Sequence, residues 1–243
     1  MLGLALWLPG PRAEGSAVAV RVAEMVAQRM RGLYAVTPTG LPAVDLLGRV
    51  AAALQGGALL VQYRDKGRDA EQRSEIARAL LYLCRQAGAR FLVNDDLALA
   101  LAIDADGVHL GAADGDLSAA RQALRPGALL GASCYADFAR ARAAVAAGSD
   151  YVAFGSVHHS PTKPMAERAP LSLFVRCRNE LRVPACAIGG IRIDNARPLL
   201  TAGADLLAVI SDLFDAPDVA ARAAAYRQLY EQDDDNIPQP ATF

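Results

Sequence analysis

The sequence predicts an α/β fold, a parallel eight-stranded (βα)₈ TIM barrel over residues 31–230. The first sign is a repeated punctuation. Gly56-Gly57-Ala58, Gly88-Ala89, Pro126-Gly127-Ala128, Gly148-Ser149 and Gly203-Ala204 each close a helix-like stretch. Each opens at once onto a short apolar run: LLVQY, RFLV, LLGAS, DYVAF and DLLAV in turn. Glycine just past a helix tolerates the left-handed conformation that ends it, so a strand can begin directly afterwards. The second sign is that these runs are continuously apolar, the pattern of strands buried on both faces. Length is the third: the 243 residues match the roughly 250 that one such barrel needs.

Taken in order, strands are predicted at 32–36, 59–63, 90–93, 107–110, 129–132, 151–154, 185–188 and 206–210. Helices fill the gaps, for example 70–87 before Gly88, 117–124, 136–147 before Gly148, and 171–181. Asp116 and Asp194 stand where helix N-caps are expected. Alternating strands and helices imply a parallel sheet; an open doubly wound sheet competes, and eight units favour closure. Residues 1–30 read as an extension outside the core, with Met30 an alternative start. Their apolar stretch at 2–8 is halted by Pro9-Gly10-Pro11, too short for the ~20 residues of a membrane span. It also lacks the basic start of a signal peptide. The acidic, proline-containing end, 231–243, is expected to be a disordered tail.

Composition narrows the function. A hydrophobic fraction of 53%, a net charge of -1 and no long basic run argue against nucleic acid or a membrane as partner. They leave room for a local cationic pocket that takes a phosphorylated small molecule. Cys84, Cys134, Cys177 and Cys186 form no C-x-x-C pair and read as reduced thiols of a cytoplasmic protein. His158 and His159 are adjacent, not spaced along one helix face, which argues against zinc.

In such a barrel, function gathers at the C-terminal ends of the strands. Strand two ends in Gln62-Tyr63-Arg64-Asp65-Lys66; in extended chain residues 62, 64 and 66 share one face. Two cations on a buried face need anions, and a diphosphate supplies them, although a salt-bridged surface loop also fits. Strand three ends in Asn94-Asp95-Asp96, and Asp114 follows His109-Leu110-Gly111 beyond strand four. Two carboxylates from adjacent strand ends suit Mg²⁺. Asn-Asp-Asp equally suits a helix N-cap, and local sequence does not choose between the two. Ser133 ends strand five. Strand six leads into a long loop carrying His158, His159, Ser160, Thr162 and Lys163, the make-up of a phosphate clamp or an ordinary proline-rich loop. Gly189-Gly190 and Ile210-Ser211 close strands seven and eight, where backbone N–H groups recurrently bind phosphate in barrels.

In order and spacing, these residues resemble the thiamine-phosphate synthase family. The matching pieces are Arg31-Gly32-Leu33-Tyr34-Ala35-Val36-Thr37-Pro38, Gln62-x-Arg64-x-Lys66, Asn94-Asp95, Asp106-Gly107-Val108-His109-Leu110-Gly111, Gly131-x-Ser133, Ser160-x-Thr162-Lys163 and Ile188-Gly189-Gly190-Ile191. The resemblance implies a transferase of thiamine biosynthesis that joins 4-amino-2-methyl-5-hydroxymethylpyrimidine diphosphate to 4-methyl-5-(2-phosphooxyethyl)thiazole. It implies that Gln62, Arg64, Lys66, Asn94 and His109 surround the pyrimidine diphosphate, and that Asp95 and Asp114 hold Mg²⁺. By the same resemblance Ser133 faces the reacting pyrimidine, and Ser160, Thr162 and Lys163 close over the diphosphate. Gly189, Gly190, Ile210 and Ser211 hold the thiazole phosphate. Catalysis is assigned to Ser133, Lys163, Arg64 and Lys66. The chain departs from the family at Ala112-Ala113, where glutamine is usual, at Ser160, where threonine is, and at His158-His159. A thiazole tautomerase of the same fold and a non-catalytic phosphate sensor are the alternatives. Homo-oligomerisation is left open.

Overall fold

Eight short strands carry the architecture: β1 (Gly32–Val36), β2 (Leu60–Tyr63), β3 (Arg90–Asn94), β4 (Gly107–Leu110), β5 (Leu129–Tyr135), β6 (Tyr151–Phe154), β7 (Ala185–Ile188) and β8 (Leu206–Val209). The computed structural model describes residues 30–159 and 168–234. All neighbouring strands pair in parallel, and β8 returns to β1 (Gly32 opposite Leu206, Ala35 opposite Val209), which closes the barrel. The strands lie where the continuous apolar runs predict them.

Helices return the chain between strands: α1 (Ala43–Gln55), α2 (Ala70–Gln86), α3 (Leu97–Ala102), α4 (Leu117–Ala123), α5 (Phe138–Ala146), α6 (Ser172–Arg176), α7 (Ile193–Thr201), α8 (Ser211–Phe214) and α9 (Val219–Asp234). Helix α6 continues as a π-helical turn, Cys177–Leu181, and ends at Arg182 in the left-handed region (φ 57°). Residues 231–234, assigned to the tail from sequence, continue α9; 235–243 and most of the N-terminal extension lie outside the described residues. Asp116 caps α4 as expected, accepting from Ala119 N at 2.7 Å. Asp194 does not cap α7. It lies inside the first turn and pairs with Arg192, the N-cap residue, while Asn195 Oδ1 accepts from Arg192 N at 2.8 Å.

Strand alternation splits the core into two shells. One set of side chains fills the barrel: Tyr34 and Val36 from β1, Leu60, Leu92, Leu129, Tyr151, Cys186 and Leu206, with Met30 among them. The opposite set, including Leu33, Val61, Phe91, Val108, Leu130, Phe154 and Leu207, packs outward against the helices. Helices α1 and α9 meet closely at Gly56. A Cβ on Gly56 would lie 2.4 Å from Ala220 O and 2.5 Å from Ala223 Cβ, so only glycine admits the approach.

Candidate active site

At the C-terminal rim the inward-facing positions change from apolar to polar. Gln62 ends the inward row of β2 and is 4% exposed. Its backbone carbonyl accepts from Thr37 N at 2.9 Å, and Thr37 Oγ1 accepts from Arg64 N at 2.9 Å. The buried Thr37 thereby ties the ends of β1 and β2 and sets where Arg64 leaves the sheet. The alternation expected over residues 62, 64 and 66 stops early, because β2 ends at Tyr63. Lys66 consequently stands in the following loop, its side chain 63% exposed, with Nζ 3.8 Å from Asp95 Oδ2.

The structure divides the two aspartates of Asn94-Asp95-Asp96 between different places. Asp96 caps α3, accepting from Leu99 N at 2.9 Å, and pairs with Arg73. Asp95 takes the left-handed conformation (φ 61°), with its N–H on His109 O at 2.9 Å. That turn aims its carboxylate across to β4, where Oδ1 accepts from Gly111 N at 3.3 Å. Asp114 approaches the same spot: a Cβ on Gly111 would lie 2.2 Å from Asp114 Oδ2 and 3.6 Å from Asp95 Oδ1. Partial desolvation and the neighbouring Asp95 charge hold the Asp114 carboxyl above its usual 3.8, with Lys66 opposing. Asn94, the last residue of β3, sits in register with His109 of β4.

Two adjacent carboxylates beside one lysine are a donor set looking for a cation. Among the described residues no group of three or more His, Cys, Asp or Glu forms a metal cluster. An oxygen-only pair fits Mg²⁺, which commonly binds through one or two carboxylates and fills its other positions with water and substrate phosphates.

His109 and Ser133 form the next part of the rim. His109 is 6% exposed, and burial lowers its pKa to about 4, against a small opposing effect of Asp114. The ring is therefore neutral near pH 7. Its Nε2 lies 2.9 Å from Ser133 Oγ and its Nδ1 lies 2.9 Å from Tyr151 Oη. Ser133 stands inside β5, not at its end, because the strand runs on to Tyr135 through a register shift opposite β6. Such irregularities re-aim side chains at barrel rims.

Gly189 and Gly190, both at positive φ (105° and 63°), form the rim above β7. The loop after β6 presses on them: Val157 N donates to Ile188 O and His158 N to Gly189 O, each at 3.0 Å. A Cβ on Gly189 would lie 2.2 Å from Ser156 Oγ, and one on Gly190 2.4 Å from His159 O. Strands β7 and β8 are paired (Ile188 opposite Ala208), so these glycines neighbour Ile210 and Ser211, where α8 begins. Ser160, Thr162 and Lys163 lie outside the described residues.

Sequence reasoning missed three contributors, Thr37, Tyr34 and Tyr151. Strand parity was the available signal. Tyr34 and Tyr151 occupy inward positions of β1 and β6, and Tyr151 is in register with Gly131, where a Cβ would lie 2.2 Å from the ring. A separate surface cleft of about 480 Å³ is lined by Arg192, Asp194, Asp212 and Arg222. There each arginine is already paired with a carboxylate, at 3.1 and 2.6 Å.

Residues 33–213 match the family described as thiamine monophosphate synthase. The thiamine-phosphate synthase of Aromatoleum aromaticum is 60% identical over 203 residues, which is 84% of this chain and 98% of that one. That of Thioalkalivibrio sulfidiphilus is 52% identical over 206 residues, 84% of this chain and 97% of the relative. Among solved structures, thiamine phosphate pyrophosphorylase from Pyrococcus furiosus superposes with a TM-score of 0.74 at 34% identity, covering 85% of this chain and 98% of that one. Matched in this way over its barrel, the chain belongs to the thiamine monophosphate synthase family.

Proposed function

We propose that this protein is a Mg²⁺-dependent thiamine-phosphate synthase, a transferase that couples 4-amino-2-methyl-5-hydroxymethylpyrimidine diphosphate to 4-methyl-5-(2-phosphooxyethyl)thiazole. The thiazole nitrogen forms the new bond to the pyrimidine methylene carbon. The carbon–oxygen bond to diphosphate breaks, and its electron pair leaves with the diphosphate. The observation that carries this reading is the paired carboxylates of Asp95 and Asp114, with Lys66 beside them, at the rim that also carries Gln62, His109 and Ser133. Over 203 residues the chain is 60% identical to a thiamine-phosphate synthase.

Each residue has a task in that reading. Asp95 and Asp114 would hold Mg²⁺, which when bound offsets the charge growing on the departing diphosphate. Arg64 and Lys66 bind the same diphosphate, joined by Ser160, Thr162 and Lys163 from the loop after β6. Gln62, Asn94, His109 and Ser133 orient the pyrimidine. Neutral His109 acts by hydrogen bonding and not as a cation, since burial keeps the imidazole unprotonated near pH 7. Gly189, Gly190, Ile210 and Ser211 take the thiazole phosphate, largely through backbone. Loss of one charge-stabilising contact of this type costs about 3–4 kcal/mol of barrier. Ala112-Ala113 lacks the glutamine amide usual in the family at this place, so one polar contact fewer is available there.

Phosphorylated small molecules are the partners this reading requires. No helix among the described residues is long and apolar enough to cross a membrane. The four cysteines are buried free thiols, which fits a reducing cytoplasm.

The test mixes purified protein with both phosphorylated substrates, with and without Mg²⁺, and follows thiamine phosphate through its fluorescent oxidation product. Mg²⁺-dependent product is expected. No product from folded protein with both substrates intact would end this reading.

A further inference from the structure

Five side chains from five strands form one unbroken hydrogen-bonded line through the upper barrel. Gln62 Nε2 donates to Tyr34 Oη (2.7 Å), and Tyr34 Oη meets Tyr151 Oη (2.8 Å). Tyr151 Oη then meets His109 Nδ1 (2.9 Å), and His109 Nε2 meets Ser133 Oγ (2.9 Å). Tyr34 and Tyr151 are 1% and 0% exposed, so their hydroxyls must find partners within the protein.

Counting hydrogens gives the line a direction. The Gln62 amide nitrogen can only donate, so Tyr34 Oη accepts there. Tyr34 must then place its own hydrogen, and its other hydrogen-bond partner among the described residues is Tyr151. Tyr151, accepting from Tyr34, puts its hydrogen on His109 Nδ1. That ring nitrogen is then bare, and the imidazole carries its hydrogen on Nε2, facing Ser133. Ser133 Oγ accepts it, and its own hydrogen is left to point at the rim. The opposite direction makes Tyr34 accept twice and leaves a buried hydroxyl hydrogen without an acceptor. A doubly protonated His109 would be a buried cation whose two hydrogen-bond partners are hydroxyls.

The backbone is shaped to hold this line. Gly131 lies under Tyr151, and a Cβ there would sit 2.2 Å from Cζ and 2.3 Å from the hydroxyl oxygen. The Tyr34 and Tyr151 rings meet edge to face at 6.0 Å, which fixes the middle of the line by packing as well.

We propose that Tyr34 and Tyr151 are positioning residues that carry the orientation of Gln62 through His109 to Ser133, locking Ser133 as a hydrogen-bond donor toward an acceptor atom of the substrate. The role assigned to Ser133 rests on the synthase reading; the direction of the line does not.

The chain holds three histidines, so a ¹⁵N-histidine spectrum is readable, with His109 assigned by its loss in His109→Gln. In the parent, His109 is expected as the Nε2–H tautomer with Nδ1 unprotonated. Tyr151→Phe keeps the ring and removes the link. It is expected to mix the His109 tautomers and lower kcat about 10- to 100-fold, with KM for the thiazole phosphate within about twofold. Tyr34→Phe is expected to act in the same direction but less, since Tyr151 still reaches His109. An Nδ1–H tautomer in the parent overturns the direction of the line, and this readout needs no variant to fold. Folded variants with parental kcat overturn the positioning role, whatever happens to the tautomer. A parent that makes no thiamine phosphate sinks the synthase reading, and the tautomer still judges the line.

Discussion

Gly111→Ala tests whether Asp95 and Asp114 act as a metal pair without removing either carboxylate. The added Cβ would lie 2.2 Å from Asp114 Oδ2. Non-bonded heavy atoms settle near 3.5–4.0 Å, so the carboxylate must retreat by more than about 1 Å. A metal site tolerates ligand errors of only about 0.2 Å, and Mg²⁺ demands near-ideal octahedral geometry. A misplacement on the order of 1 Å at a reacting centre costs up to about 100-fold. The expected result is a 10- to 100-fold rise in the Mg²⁺ concentration for half-maximal turnover, or about 1.4–2.8 kcal/mol. Stability should hardly change, because the displaced atom ends an exposed side chain and is not backbone. The assay pairs a Mg²⁺ titration of turnover with a urea midpoint. A folded variant whose titration overlays that of the parent refutes the metal pair and leaves Asp114 a surface residue. Asp95→Asn should shift the curve in the same direction, and an overlay there would leave Asp95 a turn residue only.

Three further outcomes are expected. Lys163→Ala should lower kcat more than it weakens thiazole phosphate binding; unchanged turnover removes this lysine from the mechanism. His109 titrates near 6.5 when unfolded and near 4 when folded. The unfolded chain therefore binds the proton first, and stability is lost as pH falls from about 6.5 to 4, by about 3 kcal/mol in full. Urea midpoints at pH 7 and 4.5 should diverge more in the parent than in His109→Gln; equal differences would show that His109 is not the group responsible. Gly56→Ala drives a Cβ into Ala220 O and Ala223 Cβ on α9, so about 1–3 kcal/mol of stability should be lost. A midpoint unchanged by this substitution would mean that α1 and α9 separate at little cost.

Strand positions, the parallel order and the places where polar residues meet the barrel rim are legible in local sequence. Glycine punctuation and continuous apolar runs are local signals, and helices between short strands buried on both faces point to parallel pairing. Gln62, Asp95, Asp114, Gly189 and Gly190 were legible because they interrupt those signals at strand ends. Tertiary structure decided what local sequence leaves degenerate. Asp95 and Asp96 are the same residue type, and only the approach of Gly111 and Asp114 on one side and Leu99 N on the other separates the aspartate turned toward β4 from the helix cap. Lys66 left the inward row because β2 ended at Tyr63. The pairing of Tyr34 with Tyr151, 117 residues apart, exists only once the barrel closes. Inside it a hydroxyl without water must take whichever partner the opposite strand presents, and no short-range pattern encodes that choice.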